Sequence, residues 1–178
     1  MGLDITAYRQ ISKMSGIVFD ADGEPIDAET RKYAEYDLLA YINDDFPGRN
    51  DGIENKTPYS AEDSFGFRAG SYGSYNRWRD ELAKLSGWPL SSYEQYGKNW
   101  ESYSASAWKV TSGSFWEIIN FSDCEGVIGP ETSKKLAADL AAFDDAAKAS
   151  DYPNFYHIYS EFRKAFEMAS DNGAVRFH

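Results

Sequence analysis

Apolar side chains in this chain recur with two different periods, and the switch between them along the sequence separates strands from helices. From Gly2 to Ile11, Leu3, Ile5 and Ala7 alternate with Asp4 and Thr6, the two-residue period of a half-buried strand. Gly16 to Phe19 is a second β-rich run, and Asp20-Ala21-Asp22-Gly23 supplies turn chemistry after it, so a hairpin with Glu24 to Ile26 is predicted. Asp27 to Asn43 is read as a short helix on the stripe Tyr33, Tyr36, Leu39 and Ile42, although Tyr41 and Ile42 would equally end a strand. Phe46 to Pro58, rich in Gly, Asn, Asp and Pro, is a loop.

Asp63 to Ala69 predicts another strand, which runs through Gly70, Ser71 and Gly73 into a helix from Ser74 to Ser86. Tyr75, Trp78, Leu82 and Leu85 fall on one face of that helix, and Gly87 with Pro89 stops it. Pro89 to Ser106 is polar, tyrosine-rich and without period, and reads as a long irregular excursion. Phe115 to Phe121 is apolar enough for a short buried helix or strand. Pro130 opens a helix to Lys148 with Leu136, Leu140, Phe143 and Ala147 on one stripe. Asp151-Tyr152-Pro153 opens another to Ser170, closed by Asn172-Gly173, and Ala174 to His178 adds a terminal strand. Early strands and late helices make an α+β fold: a small antiparallel sheet with helices packed on one face and a C-terminal antiparallel helix pair. The 178 residues suit a single domain, 1–178.

A formal charge of −11 argues against direct binding of nucleic acid, which needs a basic surface to neutralise phosphates. Thirteen Tyr and five Trp are a surplus that serves cores, interfaces and stacking pockets alike, and permits a homodimer. Cys124 is the only cysteine, so no internal disulfide and no cysteine zinc site can form. No apolar run approaches the roughly 20 residues of a membrane span, and a cytoplasmic location is expected. Asp20-Ala21-Asp22-Gly23-Glu24 resembles half of a calcium loop, but the twelfth position, where a bidentate carboxylate belongs, is Arg31. No metal and no cofactor is expected.

The segment Phe65 to Trp88 concentrates arginines, aromatic rings and glycines around a helix start. Backbone N–H groups near Ser71 and the side chains of Arg68, Tyr72, Asn76 and Arg79 together suit a small anionic or nucleotide-like ligand, with Arg49 of the preceding loop closing over it. The turn Gly70-Ser71-Tyr72-Gly73-Ser74 matches neither the phosphate loop nor the dinucleotide-binding pattern. Asp123 and Glu125 flank Cys124 and complete the expected ligand site. As a carboxylate pair they also support an alternative, a hydrolase using acid–base chemistry. A third reading is a protein inhibitor that docks through an acidic, aromatic surface around Tyr93, Tyr96 and Trp100. Binding is favoured over catalysis, and no residue is assigned a catalytic role.

The opening MGLDI, the block FRAGSYGSYNRWRDELA and the block FSDCEGVIGP resemble a group of small proteins carried by phages and prophages, over most of the chain. The resemblance implies an accessory protein acting in the bacterial host's cytoplasm. By analogy of gene context it also implies counter-defence: a trap for a signalling ligand or an inhibitor of a host defence protein.

Overall fold

A computed structural model of the chain describes residues 2–178. Strand β1 (Leu3–Arg9) buries Leu3, Ile5 and Ala7 and leaves Asp4 and Thr6 half-exposed, as its alternation requires. It lies inside a four-stranded antiparallel sheet, between β7 (Asp63–Gly70) and the terminal strand β11 (Ala174–Phe177), with β10 (Gly126–Ile128) at the far edge. The register sets Ile5 opposite both Phe67 and Phe177, one apolar row on the inner face. The adjacent rows, Asp4 with Arg68 and Thr6 with Arg176, therefore point to the outer face.

Among the described residues six helices accompany the sheets, so the fold is α+β as expected: α1 (Tyr72–Leu85), α2 (Ser104–Ala107), α3 (Trp116–Ile119), α4 (Pro130–Ala142), α5 (Asp144–Lys148) and α6 (Phe155–Ala169). The main core forms between the sheet's inner face and these helices, largely from rings. Phe162 of α6 meets Phe67 edge-on at 5.0 Å and stacks on Trp78 of α1 at 4.8 Å. Each such ring stabilises the fold by about 1.5–3 kcal/mol over an exposed one. The helix expected from Pro130 to Lys148 breaks at Phe143 into α4 and α5. Tyr159, early in α6, donates its hydroxyl to the carbonyl of Leu140, late in α4, at 2.7 Å, as an antiparallel helix pair requires. Beyond α6 the chain returns to the sheet through Gly173, where a Cβ would strike the Tyr8 carbonyl oxygen and lie 2.9 Å from that of Ala169.

The outer face is partly covered by a smaller sheet of β2 (Ser12–Lys13), β6 (Thr57–Ser60) and β5 (Leu38–Ala40), in that order. Tyr8, Val127 and Ala174 from the large sheet share a second apolar cluster with Leu38, Ala40, Ile53 and Tyr59. The hairpin of β3 (Ile17–Phe19) and β4 (Pro25–Asp27) forms as predicted, and the Asp20 carboxylate accepts from the N–H groups of Asp22 and Glu24, both at 2.9 Å. Its turn carboxylate is thus spent on backbone amides.

Two expectations are corrected. Asp27 to Asn43 is not a helix: Tyr33 makes a β-bridge to Ile26, and Leu38 and Ala40 are buried by pairing with β6. The helical stripe had no core to face, and Tyr33 stays 74% exposed. Pro89 to Ser106 is not irregular either, for it holds a hairpin of β8 (Ser91–Gln95) and β9 (Lys98–Ser102) followed by α2. Its turn is Tyr96-Gly97, both at positive φ (54° and 71°), the two-residue turn whose twist matches antiparallel strands.

Candidate functional site

The expected anion receptor at the start of α1 is not assembled. Ser71 is the N-cap, its Oγ accepting from the Ser74 N–H at 3.1 Å, so its hydroxyl serves the helix end. Tyr72 packs against the main core. Arg68 sits on the outer face of the sheet, because strand alternation that sends Phe67 inward sends its neighbour outward. There it pairs with Asp4 at 3.4 Å, its side chain 62% exposed.

Arg49 is a structural side chain and does not close over a ligand. Only 3% exposed, it donates from Nε to the carbonyl of Glu117 (3.2 Å), from Nη1 to Pro47 (3.0 Å) and from Nη2 to Asn120 (2.7 Å). Its guanidinium lies over the Trp116 ring, 4.3 Å from the centroid. Burial pulls its pKa down, against the nearby Glu117 carboxylate. It therefore ties the loop before Asn50 to α3.

The other four expected site residues do converge. Asn76, Arg79, Asp123 and Glu125 border a cleft of about 680 Å³ between α1, the β8–β9 hairpin and the segment that runs from α3 to β10. One turn apart on α1, Asn76 and Arg79 reach the same wall. Asn76 Nδ2 donates to Asp123 Oδ2 at 2.8 Å, and Asn76 Oδ1 accepts from Arg79. Arg79 also donates to the carbonyls of Ile119 and Phe121 and covers the Tyr75 ring at 4.7 Å. Burial raises the phenol of Tyr75 above its ordinary range, with Arg79 pulling the other way. Arg79 is thus committed to holding the wall.

The hairpin supplies the opposite wall. Asp80 Oδ1 accepts from Ser102 Oγ (2.7 Å) and from the Ser104 N–H (2.9 Å), joining α1 to the end of β9 and the start of α2. Lys109 donates to Ser91 Oγ at 2.6 Å and to the Ser92 carbonyl at 3.2 Å, which ties down the start of β8. Between these ties Tyr93 and Trp108 meet edge-to-face, 5.1 Å apart and inclined by 78°, and both border the cleft. Trp100 and Tyr96 are exposed on the same hairpin, Tyr96 to 92%.

Five carboxylates border this cleft, Asp45, Asp80, Glu101, Asp123 and Glu125, against two guanidiniums, Arg77 and Arg79. Asp80 and Asp123 are hydrogen-bonded. Among the described residues, the side chains of Asp45, Glu101 and Glu125 have neither a hydrogen bond nor an ion pair. All three are exposed at the cleft's border, and the sign of their charge there favours a cation. Asp45, Asp80 and Glu101 are carboxylates at the border that were not among the expected site residues; the Tyr96-Gly97 turn was the signal that could have found the hairpin wall on which Glu101 lies. Cys124 is exposed beside Ser122 Oγ at 3.5 Å, and neither histidine borders the cleft.

Among the described residues no group of three or more His, Cys, Asp or Glu side chains is placed to hold a metal ion, and no helix is long and apolar enough to cross a membrane. No protein-family model matches the chain, and no curated protein and no solved structure is similar to it.

Proposed function

We propose that this chain is a non-enzymatic binding protein whose acidic, aromatic cleft receives a basic segment of a partner protein. The observation that carries the reading is the set of uncommitted carboxylates at the cleft border, Asp45 and Glu125 together with Glu101 on the hairpin wall that also holds Tyr93, three against the one uncommitted guanidinium of Arg77 while Arg79 is spent on the backbone. Lysine and arginine side chains on the partner would pair with the carboxylates and lie across the rings. Exposed Tyr96 and Trp100 extend the surface beyond the cleft and offer large, stiff contact groups of the kind that dominate protein interfaces. A small anion fits this cleft poorly, because desolvating it there meets net negative charge. A hydrolase reading is less favoured, since Asp123 is tied to Asn76 and no histidine stands beside it at the cleft. Following the resemblance to phage-borne proteins, we assign the partner to the bacterial host and the role to counter-defence.

The test is a titration of the full chain with a short peptide of lysine, arginine and phenylalanine, followed by tryptophan fluorescence and by amide shifts in NMR. Saturable binding is expected, with shifts gathered at residues 91–108 and 119–125. A peptide carrying glutamate in place of the basic residues should not bind. Equal binding of the two peptides, or shifts gathered elsewhere, overturns the reading.

A further inference from the structure

A second cleft, of about 490 Å³, opens where the outer face of the large sheet meets β5 and the tip of the β3–β4 hairpin. Its walls are apolar, built from Phe19, Leu39 and Tyr41, and Phe19 and Tyr41 are exposed to solvent. The charged groups at its border are both cations, Lys56 and Arg176, in a chain whose formal charge is −11. Neither makes an ion pair among the described residues, although seven other cations do. Arg176 is placed there by the sheet: it lies across from Thr6 on the outer face, in the row that alternation turns away from the helices. Lys56 holds φ at 49°, where Asn or Gly costs less, so its backbone gains nothing from being lysine.

We propose that this cleft binds an amphiphilic monoanion, a carboxylate carried on an aliphatic chain or a single ring. The apolar body would lie against Phe19, Leu39 and Tyr41, and the carboxylate would take charge-assisted hydrogen bonds from Arg176 and Lys56. Its volume falls within the roughly 300–1,000 Å³ of small-molecule sites. This site is separate in residues and opposite in charge from the acidic cleft, so either stands if the other fails.

Octanoate is the probe, titrated below its micellar range into the full chain and followed by NMR, with octanol and octylamine as neutral and cationic controls. Octanoate should shift the amides of Tyr41, Lys56 and Arg176 saturably, and the two controls should bind on the order of tenfold more weakly. Lys56→Gln, at an exposed turn, should weaken octanoate without lowering the melting temperature, and the K56Q/R176Q double variant should abolish saturation. Reversal of Glu101 and Glu125 should leave it unchanged. Octanol binding as tightly as octanoate, shifts spread over other apolar surface, or unaltered binding by K56Q and the double variant would overturn the proposal.

Discussion

Arginine is the residue whose meaning here depends most on context. Arg49, Arg68 and Arg79 look alike in sequence, yet one is buried on three carbonyls, one is a solvated partner of Asp4, and one braces a cleft wall. Removing a buried donor strands its acceptors, at about 1–3 kcal/mol per group. Arg49→Ala should therefore lower stability by about 3 kcal/mol in urea unfolding, because three carbonyls lose their partner. Arg68→Ala should change it by under about 0.5 kcal/mol, as exposed ion pairs do. Similar losses in the two variants would refute the assignment of Arg49 as a structural tie. The role of Arg49 was not legible in the sequence: its acceptors include carbonyls of Glu117 and Asn120, brought to it by the tertiary fold. The outward turn of Arg68 was legible, since the alternation that turns Phe67 inward implies it.

Among the elements, those that bury an apolar face were readable. The alternation in β1, the periodic stripes of α1, α4 and α6 and the glycine stop at Gly87 (φ 87°) all correspond to what the structure contains. Most short or largely exposed elements were not, and the β3–β4 hairpin, which its Asp-Gly turn marked, is an exception. The β8–β9 hairpin is exposed over most of both faces, so hydrophobic alternation had nothing to report, and β5 is too short for its pairing with β6 to leave a period. The β8–β9 hairpin is also the element on which the proposed binding depends, and its attachment to α1 runs through Asp80. Asp80→Ala deletes a cap of α2 and a tie to β9, a loss on the order of 1 kcal/mol. Amide exchange at residues 91–104 should then quicken while α6 keeps its protection, and affinity for the basic peptide should fall. Uniform quickening across the molecule would show that Asp80 supports the core and not the hairpin alone.

Taken together, the molecule is an aromatic core between one sheet and its helices, with two clefts of opposite charge lined by different residues. Its excess of carboxylates has a consequence for pH. The Lys148 ammonium at 2.7 Å, the Tyr156 hydroxyl at 3.1 Å and Arg163 at 3.1 Å hold the Asp144 carboxyl below the usual carboxylate range. Turn hydrogen bonds from Thr30 and Glu29 do the same for Asp27. A depressed folded pKa means that the unfolded chain takes up the proton first. The stabilisation is thus complete above about pH 3.8 and is lost as pH falls through the folded values. The melting temperature should drop on acidification from pH 4.5 to pH 3, and drop less in Asp144→Asn, which starts lower at pH 7 but has no carboxylate to lose. An identical acid profile in D144N would remove Asp144 from that account.

In the proposed function the field of the acidic cleft selects the partner, and exchanging its sign tests that. In the Glu101→Lys/Glu125→Lys double variant, both positions are exposed and the side chains make no hydrogen bond or ion pair among the described residues, while the backbone contacts of both are kept, so stability should be kept. Titrated side by side, the lysine–arginine peptide should lose on the order of tenfold in affinity or more, and the glutamate peptide should now bind. Unchanged affinities for both peptides, in a variant that melts like the parent, would contradict the assignment of this cleft as a receptor for a basic segment.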